Sequence, residues 1–307
     1  MRTSTQRLVL AKNEATYGLD SSPTAADAIL VRGLSLSPLE GGTIERGVIL
    51  PHLGGQPKTH VNVSRKLDFE IEAVGSGVAG TPPVWGSLLK ACAASETIDA
   101  GVSATYAPVS DNYGSLSIYH FLKGELAKLL GARGTCTLAV AAQTVPVFKF
   151  SFIGLWSPIT AASQPSPNFA NQPIPRPSSL ANTPAFTLHG HALVMKSIDI
   201  SLGVQAVFRG LVGYEGVDIL DRAVTATLTC EWPSLATMDP QALARDGTTG
   251  ALHMVHGTTA GNILQLDAPR VQIVDPKMIE DNRVMMLQCS LLLLPVAGND
   301  EITITSR

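Results

Sequence analysis

Charge is scarce in this sequence. Asp, Glu, Lys and Arg make up 15% of 307 residues, against about a quarter in an ordinary soluble chain. With so few charges to face water, much of the surface is expected to be hidden against other subunits. Basic clusters are missing as well, and the net charge is −3. A protein that grips DNA neutralises phosphates with grouped Lys and Arg, so a nucleic-acid clamp is excluded. No apolar run approaches the ~18 residues of a membrane span. The opening Met1-Arg2-Thr3-Ser4-Thr5-Gln6-Arg7 leads only into Leu8-Val9-Leu10, too short for a secretory core. The expectation is a chain made in the cytoplasm that inserts into no membrane. Cysteines are few: Cys92, Cys136, Cys230 and Cys289, widely spaced and without a CxxC pair. They read as small apolar core residues of a reduced protein.

What the chain does have is alternation. Arg65–Ala73 places Leu67, Phe69 and Ile71 on one side and Asp68, Glu70 and Glu72 on the other; Val147–Ile153 groups Phe148, Phe150 and Phe152. A period of two means strands with one face on a core. Two short helices are predicted. One follows Pro82-Pro83, with Trp85, Leu88, Leu89 and Cys92 on one stripe; the other opens with Asp239 as N-cap and Pro240 at its first position.

A segment from 157 to 185 carries Pro165, Pro167, Pro173, Pro175, Pro177 and Pro184. Proline donates no backbone hydrogen bond, so this stretch cannot sit in a central sheet. It is expected to be a semi-rigid linker. The parts on either side match in order. Ile29–Ser37 aligns with Leu193–Ser201 at a spacing of 164, Arg46-Gly47 with Arg209-Gly210 at 163, Arg65–Ala73 with Arg222–Cys230 at 157, and Phe148–Phe152 with Leu287–Leu291 at 139. A spacing that falls only in steps is the behaviour of loop deletions in a duplicated domain. The division expected is an arm at 1–27, a first β domain at 28–156, the linker at 157–185 and a second β domain at 186–307.

Chemistry is sparse. His189-Gly190-His191 puts two imidazoles on one face of a strand, and His253 and His256 form a second pair. Neither has a Cys or carboxylate at a recognisable ligand interval. There is no G-x-S-x-G elbow, and Gly75-Ser76-Gly77-Val78-Ala79-Gly80 lacks the Lys and Ser/Thr of a phosphate loop. It reads as a flexible link between strand and helix. No catalytic residue, cofactor or metal is expected.

The polar strand faces carry more information. Asp68, Glu70 and Glu72, and in the second half Thr225, Thr227 and Thr229, keep one face wet. Lys149 and Gln288 sit at matching places on the next alternating strand, where Lys149 can offset the acidic row across strands. One reading is an ordinary exposed sheet face. The other is the wall of a water-filled channel, since carboxylates repel phosphates and threonines are neutral.

Several stretches resemble a known family. Ala11-Lys12-Asn13-Glu14-Ala15-Thr16-Tyr17-Gly18 is similar to the opening of major tail tube proteins of non-contractile-tailed (siphovirus-like) phages, and Pro83–Cys92 resembles their helix. Tyr106–Ser110, Gly131–Thr135 and Phe148–Leu155 follow in the family's order. The likeness covers roughly 8–156, and the duplication carries it further. It implies a mainly β fold, a sandwich or barrel with a short helix in each of two related domains. Subunits would join their sheets into rings, and the rings would stack into a hollow tube that passes double-stranded DNA. Since six domains normally complete a ring, two-domain chains would close as homotrimers of pseudo-hexameric form. The same likeness implies a place in the virion tail beside tape-measure, tail-terminator and baseplate proteins.

Contacts between rings are expected from the arm and from the loop Gly47 to His60. Its Val48, Ile49, Leu50 and Leu53 would be hard to solvate in a free monomer, unless the hairpin folds onto its own domain. The matching loop Leu211 to Leu220 is expected to be shorter. The rival reading is a two-domain β-sandwich adhesin, or a terminator or baseplate-hub protein that caps a tube.

Overall fold

A computed structural model describes residues 6–307. In the first half it contains β1 (Arg7–Asn13), β2 (Ala28–Ile29), β3 (Arg32–Glu45), β4 (Lys58–Glu72), α1 (Val84–Lys90), β5 (Ala94–Asp99), β6 (Ser103–Pro108), β7 (Leu116–Leu122), β8 (Glu125–Ala141), β9 (Val147–Leu155) and β10 (Thr160–Ala161). The second half contains β11 (Ala185–Leu188), β12 (His191–Ala192), β13 (Met195–Ser201), β14 (Val204–Leu211), β15 (Tyr214–Arg222), β16 (Thr225–Glu231), α2 (Pro240–Arg245), β17 (Thr249–His256), β18 (Leu264–Asp281), β19 (Val284–Leu293) and β20 (Thr303–Ser306). The fold is mainly β with two short helices, and no barrel closes among the described residues.

Two layers are built from each half by the same pairing order. In the first, β3–β4–β9–β8 forms one layer and β2–β1–β7–β8 the other. In the second, β13–β16–β19–β18 and β12–β11–β17–β18 repeat it. The long strands β8 and β18 belong to both layers and turn the corner through register shifts, at 130–133 and 274–277, as bulges do. The halves are then sewn together. Strand β8 pairs with β13 from Thr137↔Ser201 to Ala141↔Ser197, and β6 pairs with β20. One sheet therefore runs β3–β4–β9–β8–β13–β16–β19–β18.

Alternation explains the core. The apolar sides of these strands, including Phe69, Phe148, Phe150, Phe152, Leu138, Ile198, Leu228 and Leu287, form one buried cluster spanning both halves. Phe150 and Phe152 stack at 5.6 Å. Cutting one such ring back to Ala would cost roughly 3–5 kcal/mol. Helix α1 buries Trp85, Leu88 and Leu89 on that cluster, and Trp85 Nε1 donates to the Val74 carbonyl at 2.8 Å. Helix α2 is capped as its sequence implies: the Asp239 carboxylate accepts from the Gln241 and Ala242 amides. All four cysteines are free and buried. Burial pushes the Cys230 and Cys289 thiols up to about 11 and about 12, which leaves them unreactive.

Several expectations change. Residues 7–13, assigned to an arm, form β1, which pairs with β7 along its length and buries Leu8, Val9, Leu10 and Ala11. The first five residues of that arm lie outside the described ones. The proline segment is extended but pinned. Gln172 Nε2 donates to the Ala28 carbonyl, its Oε1 accepts from the Leu30 amide, and Ser178 is buried while its backbone bonds Gln143 and Thr144. His189 and Gly190 make the β11–β12 turn and not a strand face. The Gly75–Gly80 link is packed as well. Gly77 N donates to Gly261 O at 3.0 Å, and a Cβ on Gly75 would stand 2.1 Å from that carbonyl. Only glycine allows so close an approach.

The alignment between the halves also shifts. Glu70 stands opposite Lys149, and Thr229 opposite Gln288; Asp68 faces Ser35, and Thr227 faces Asp199. These registers agree with the spacings of 164 and 139, but they place Asp68 with Thr227 and Glu70 with Thr229, a spacing of 159 and not 157. Thr225 then matches Lys66, and Glu72 matches Glu231.

Candidate functional site

All eight polar positions singled out in the sequence lie on one face of the continuous sheet, spread over both halves. Read across eight strands, Arg32, Glu70, Lys149, Thr137, Ser201, Thr225, Leu292 and Gln272 stand opposite one another in turn. The next row runs Glu72, Val147, Ala139, Asp199, Thr227 and Ser290, and a third holds Ser197, Thr229, Gln288 and Lys277. Asp68 joins Ser35, Ser151 and Thr135 in a fourth. The rows cross the β8–β13 seam without a step.

The charges on this face nearly balance within the first half. Arg32 pairs with Glu70 at 3.2 Å and Lys66 with Asp68 at 3.3 Å, while Lys149 faces Glu70 in register. Each ion pair is solvent-exposed and worth at most about 1 kcal/mol. Their effect is on the field: the acidic row is offset by Arg32 and Lys66 as well as by Lys149. In the second half the face carries Asp199, Glu231 and Lys277 among threonines and serines.

At its upper end, the sheet of the second half peels off into a hairpin. Strands β14 and β15 form their own two-stranded sheet around a Val212-Gly213 turn, so Leu211–Leu220 is mostly strand and not the expected loop. This hairpin folds back onto β8, β9 and β4 of the first half. Its first-half counterpart does not fold back. Strands β3 and β4 run out to Glu45 and Lys58, and residues 46–57 join them. In that loop Val48 is 41% exposed, Ile49 101%, Leu50 40% and Leu53 103%. Among the described residues nothing covers Ile49 and Leu53, and the loop ends short of the expected His60 because β4 begins at Lys58.

Sequence reasoning missed the groups that lock the hairpin down. Arg133 Nη1 donates to the Val217 carbonyl at 2.9 Å and its guanidinium sits 4.6 Å from the Tyr17 ring. Glu14 accepts from the Gly18 and Gly131 amides and from the Ser115 and Ser117 hydroxyls. Arg222 forms a 2.6 Å ion pair with Glu301, both side chains largely buried, and donates to the Val109 carbonyl. Isolated charged residues give no periodic signal: Glu14, Tyr17 and Arg133 enter the sequence analysis only inside the matched stretches Ala11–Gly18 and Gly131–Thr135, and Arg222 only as the first residue of the aligned Arg222–Cys230. The histidines have local partners: His253 Nδ1 lies 2.6 Å from Asp267 Oδ1 and His256 Nδ1 lies 3.0 Å from Thr183 Oγ1. Among the described residues no group of three or more His, Cys, Asp or Glu is placed to hold a metal.

The family model of phage tail tube proteins matches residues 4–298. The chain belongs to the phage tail tube protein family. Comparison with curated proteins gives no match. As a tail tube protein it is a structural component of the virion tail that assembles with itself into a tube, and none of its helices among the described residues is long and apolar enough to cross a membrane.

Proposed function

We propose that this tail tube protein builds the long, non-contractile tail of a siphovirus-like phage as a two-domain subunit, three copies of which close a ring of pseudo-sixfold form. The observation that carries the reading is the repeated pairing order, joined in one sheet by β8 and β13. A chain that already contains two modules needs three copies where single modules would need six. Ring closure removes the open sheet edges that would otherwise aggregate.

The rows through Asp68, Glu70, Glu72, Lys149, Thr225, Thr227, Thr229 and Gln288 then line the bore. A hydrated, nearly charge-balanced wall offers DNA no cluster of cations to bind, so the polymer slides. The 46–57 loop, with Val48, Ile49, Leu50 and Leu53, docks on the next ring, burying side chains that a free chain leaves in water. Tape-measure, terminator and baseplate proteins are the expected further partners, and the role is structural, without catalysis.

Electron microscopy of the purified protein across a concentration series tests this reading. Stacked hollow rings with three copies per layer are expected. Solitary particles at every salt and protein concentration, with glycan binding, would replace it by the adhesin reading.

A further inference from the structure

The eight-stranded sheet ends on two open edges. Among the described residues, β3 over 32–37 pairs only with β4, and β18 over 273–281 pairs only with β19. The seam inside the chain shows how two such edges meet. There Ile198 faces Val140 and Ile200 faces Leu138 on the core side, while Asp199 faces Ala139 on the wet side.

We propose that β18 of one chain docks on β3 of a second copy in the register of the internal β8–β13 seam, and that carboxylates on the β18 edge hold free chains apart. The inference rests on the ring reading and adds the strands, the facing residues and the control. Strand equivalence follows from pairing. Ser35 and Asp199 occupy the same place beside Asp68 and Thr227, and Thr137 and Lys277 the same place beside Lys149 and Gln288. Carrying the internal seam across sets Ser37 against Lys277, Leu36 against Met278, Ser35 against Ile279 and Leu34 against Glu280.

Exposure supports the match. Met278 is 53% exposed, whereas Leu138, in the equivalent place, is 3% exposed. Leu36 is half-buried and already packs on the core beside this edge. Between chains Met278 and Leu36 would repeat what Leu138 and Ile200 do within one.

The seams differ in one respect. Val140 and Ala141 line the internal seam, but Glu280 and Asp281 stand in their places on the open edge. Asp281 is held by Lys196 at 2.7 Å, and Glu280 is exposed. Charge on an edge strand discourages pairing between free molecules, and seating Glu280 beside Leu34 costs it water. The internal seam forms once, on folding. The external one forms when stacking and neighbouring contacts add to it.

Paired cysteines test the register. The four native thiols are buried and do not compete. Ser35→Cys with Ile279→Cys, oxidised mildly after assembly, is expected to give linked species of two and three chains. Ser37→Cys with Ile279→Cys, displaced by two residues, is expected to give none. Tubes in which only the displaced pair links, or neither pair does, would overturn the register while leaving the ring reading intact. Failure of unsubstituted protein to form rings would instead remove the ring reading. Glu280→Val is expected to lower the protein concentration needed for assembly by about tenfold. An unchanged or raised threshold overturns the role given to the carboxylates.

Discussion

Tyr17 and Arg133 hold the two backbone polar groups of one residue, Val217. The Tyr17 hydroxyl accepts the Val217 amide at 2.5 Å, Arg133 donates to the Val217 carbonyl at 2.9 Å, and the guanidinium rests over the Tyr17 ring. Burial raises the Tyr17 hydroxyl above its ordinary pKa, so it stays protonated and neutral at physiological pH. The β14–β15 hairpin is thereby fastened to the first half at a point where Val217 is wholly buried.

Arg133→Ala removes a charge-assisted hydrogen bond and a ring contact, and leaves a buried carbonyl without its partner. A loss of about 2–3 kcal/mol is expected, read by denaturant unfolding, with faster hydrogen exchange at the Val217 amide. Arg133→Lys should recover only part of it, because an ammonium lacks the planar fork. Unchanged exchange would show that the hairpin is held elsewhere.

The 46–57 loop separates ring closure from stacking. Replacing residues 48–55 by a short polar turn should leave rings that no longer form tubes, seen by electron microscopy and sedimentation. Full-length tubes from the shortened protein would rule out stacking by Val48, Ile49, Leu50 and Leu53.

Substituting Asp68, Glu70 and Glu72 together by Lys turns a balanced face into a strongly basic one. Tubes should still assemble, since these side chains face away from the core, but phosphate contacts should arrest DNA. Infectivity of phage carrying the change is expected to fall steeply, while a Ser/Gln/Gln version stays near normal. Equal infectivity would remove the electrostatic argument for the bore.

His120 is buried near Arg7 and Arg65, and burial foremost pushes its pKa down to about 4 from 6.5. The folded chain keeps it neutral while the unfolded chain protonates below 6.5. Stability therefore falls as pH drops from 6.5 to 4 and levels off beneath, by on the order of 3 kcal/mol from this group. His120→Leu should flatten that segment in melting temperatures measured at several pH values. An identical slope in the variant would assign the acid sensitivity to other groups.

Much was legible locally. Alternation fixes which side of a strand is wet, so Asp68, Glu70, Glu72, Lys149, Thr225, Thr227, Thr229 and Gln288 could be grouped before any pairing was known. Asp239 and Pro240 marked α2 because caps act through adjacent amides. The equivalence of Arg65–Ala73 with Arg222–Cys230 was displaced by two residues for the same reason that it was visible: a period-two pattern is unchanged by a shift of two. The shared arginines hid the slip. Arg65 in fact lies buried, donating to the Pro38, Lys128 and Ser157 carbonyls, while Arg222 pairs with Glu301. The strand β1 went unnoticed because Leu8–Leu10 is an unbroken apolar run with no alternation to count.

The sequence alone determined a mainly β chain with two short helices, wet and dry strand faces, and a related order of segments on either side of the prolines. Those properties depend on neighbours one to four residues apart. Only the tertiary structure decided that the two halves share one sheet, that β14–β15 folds back while 46–57 stays out, and that β3 and β18 remain open. Such outcomes turn on backbone pairing between strands distant in the chain, and every backbone carries the same donors and acceptors. Which edge meets which is set by packing across the whole molecule.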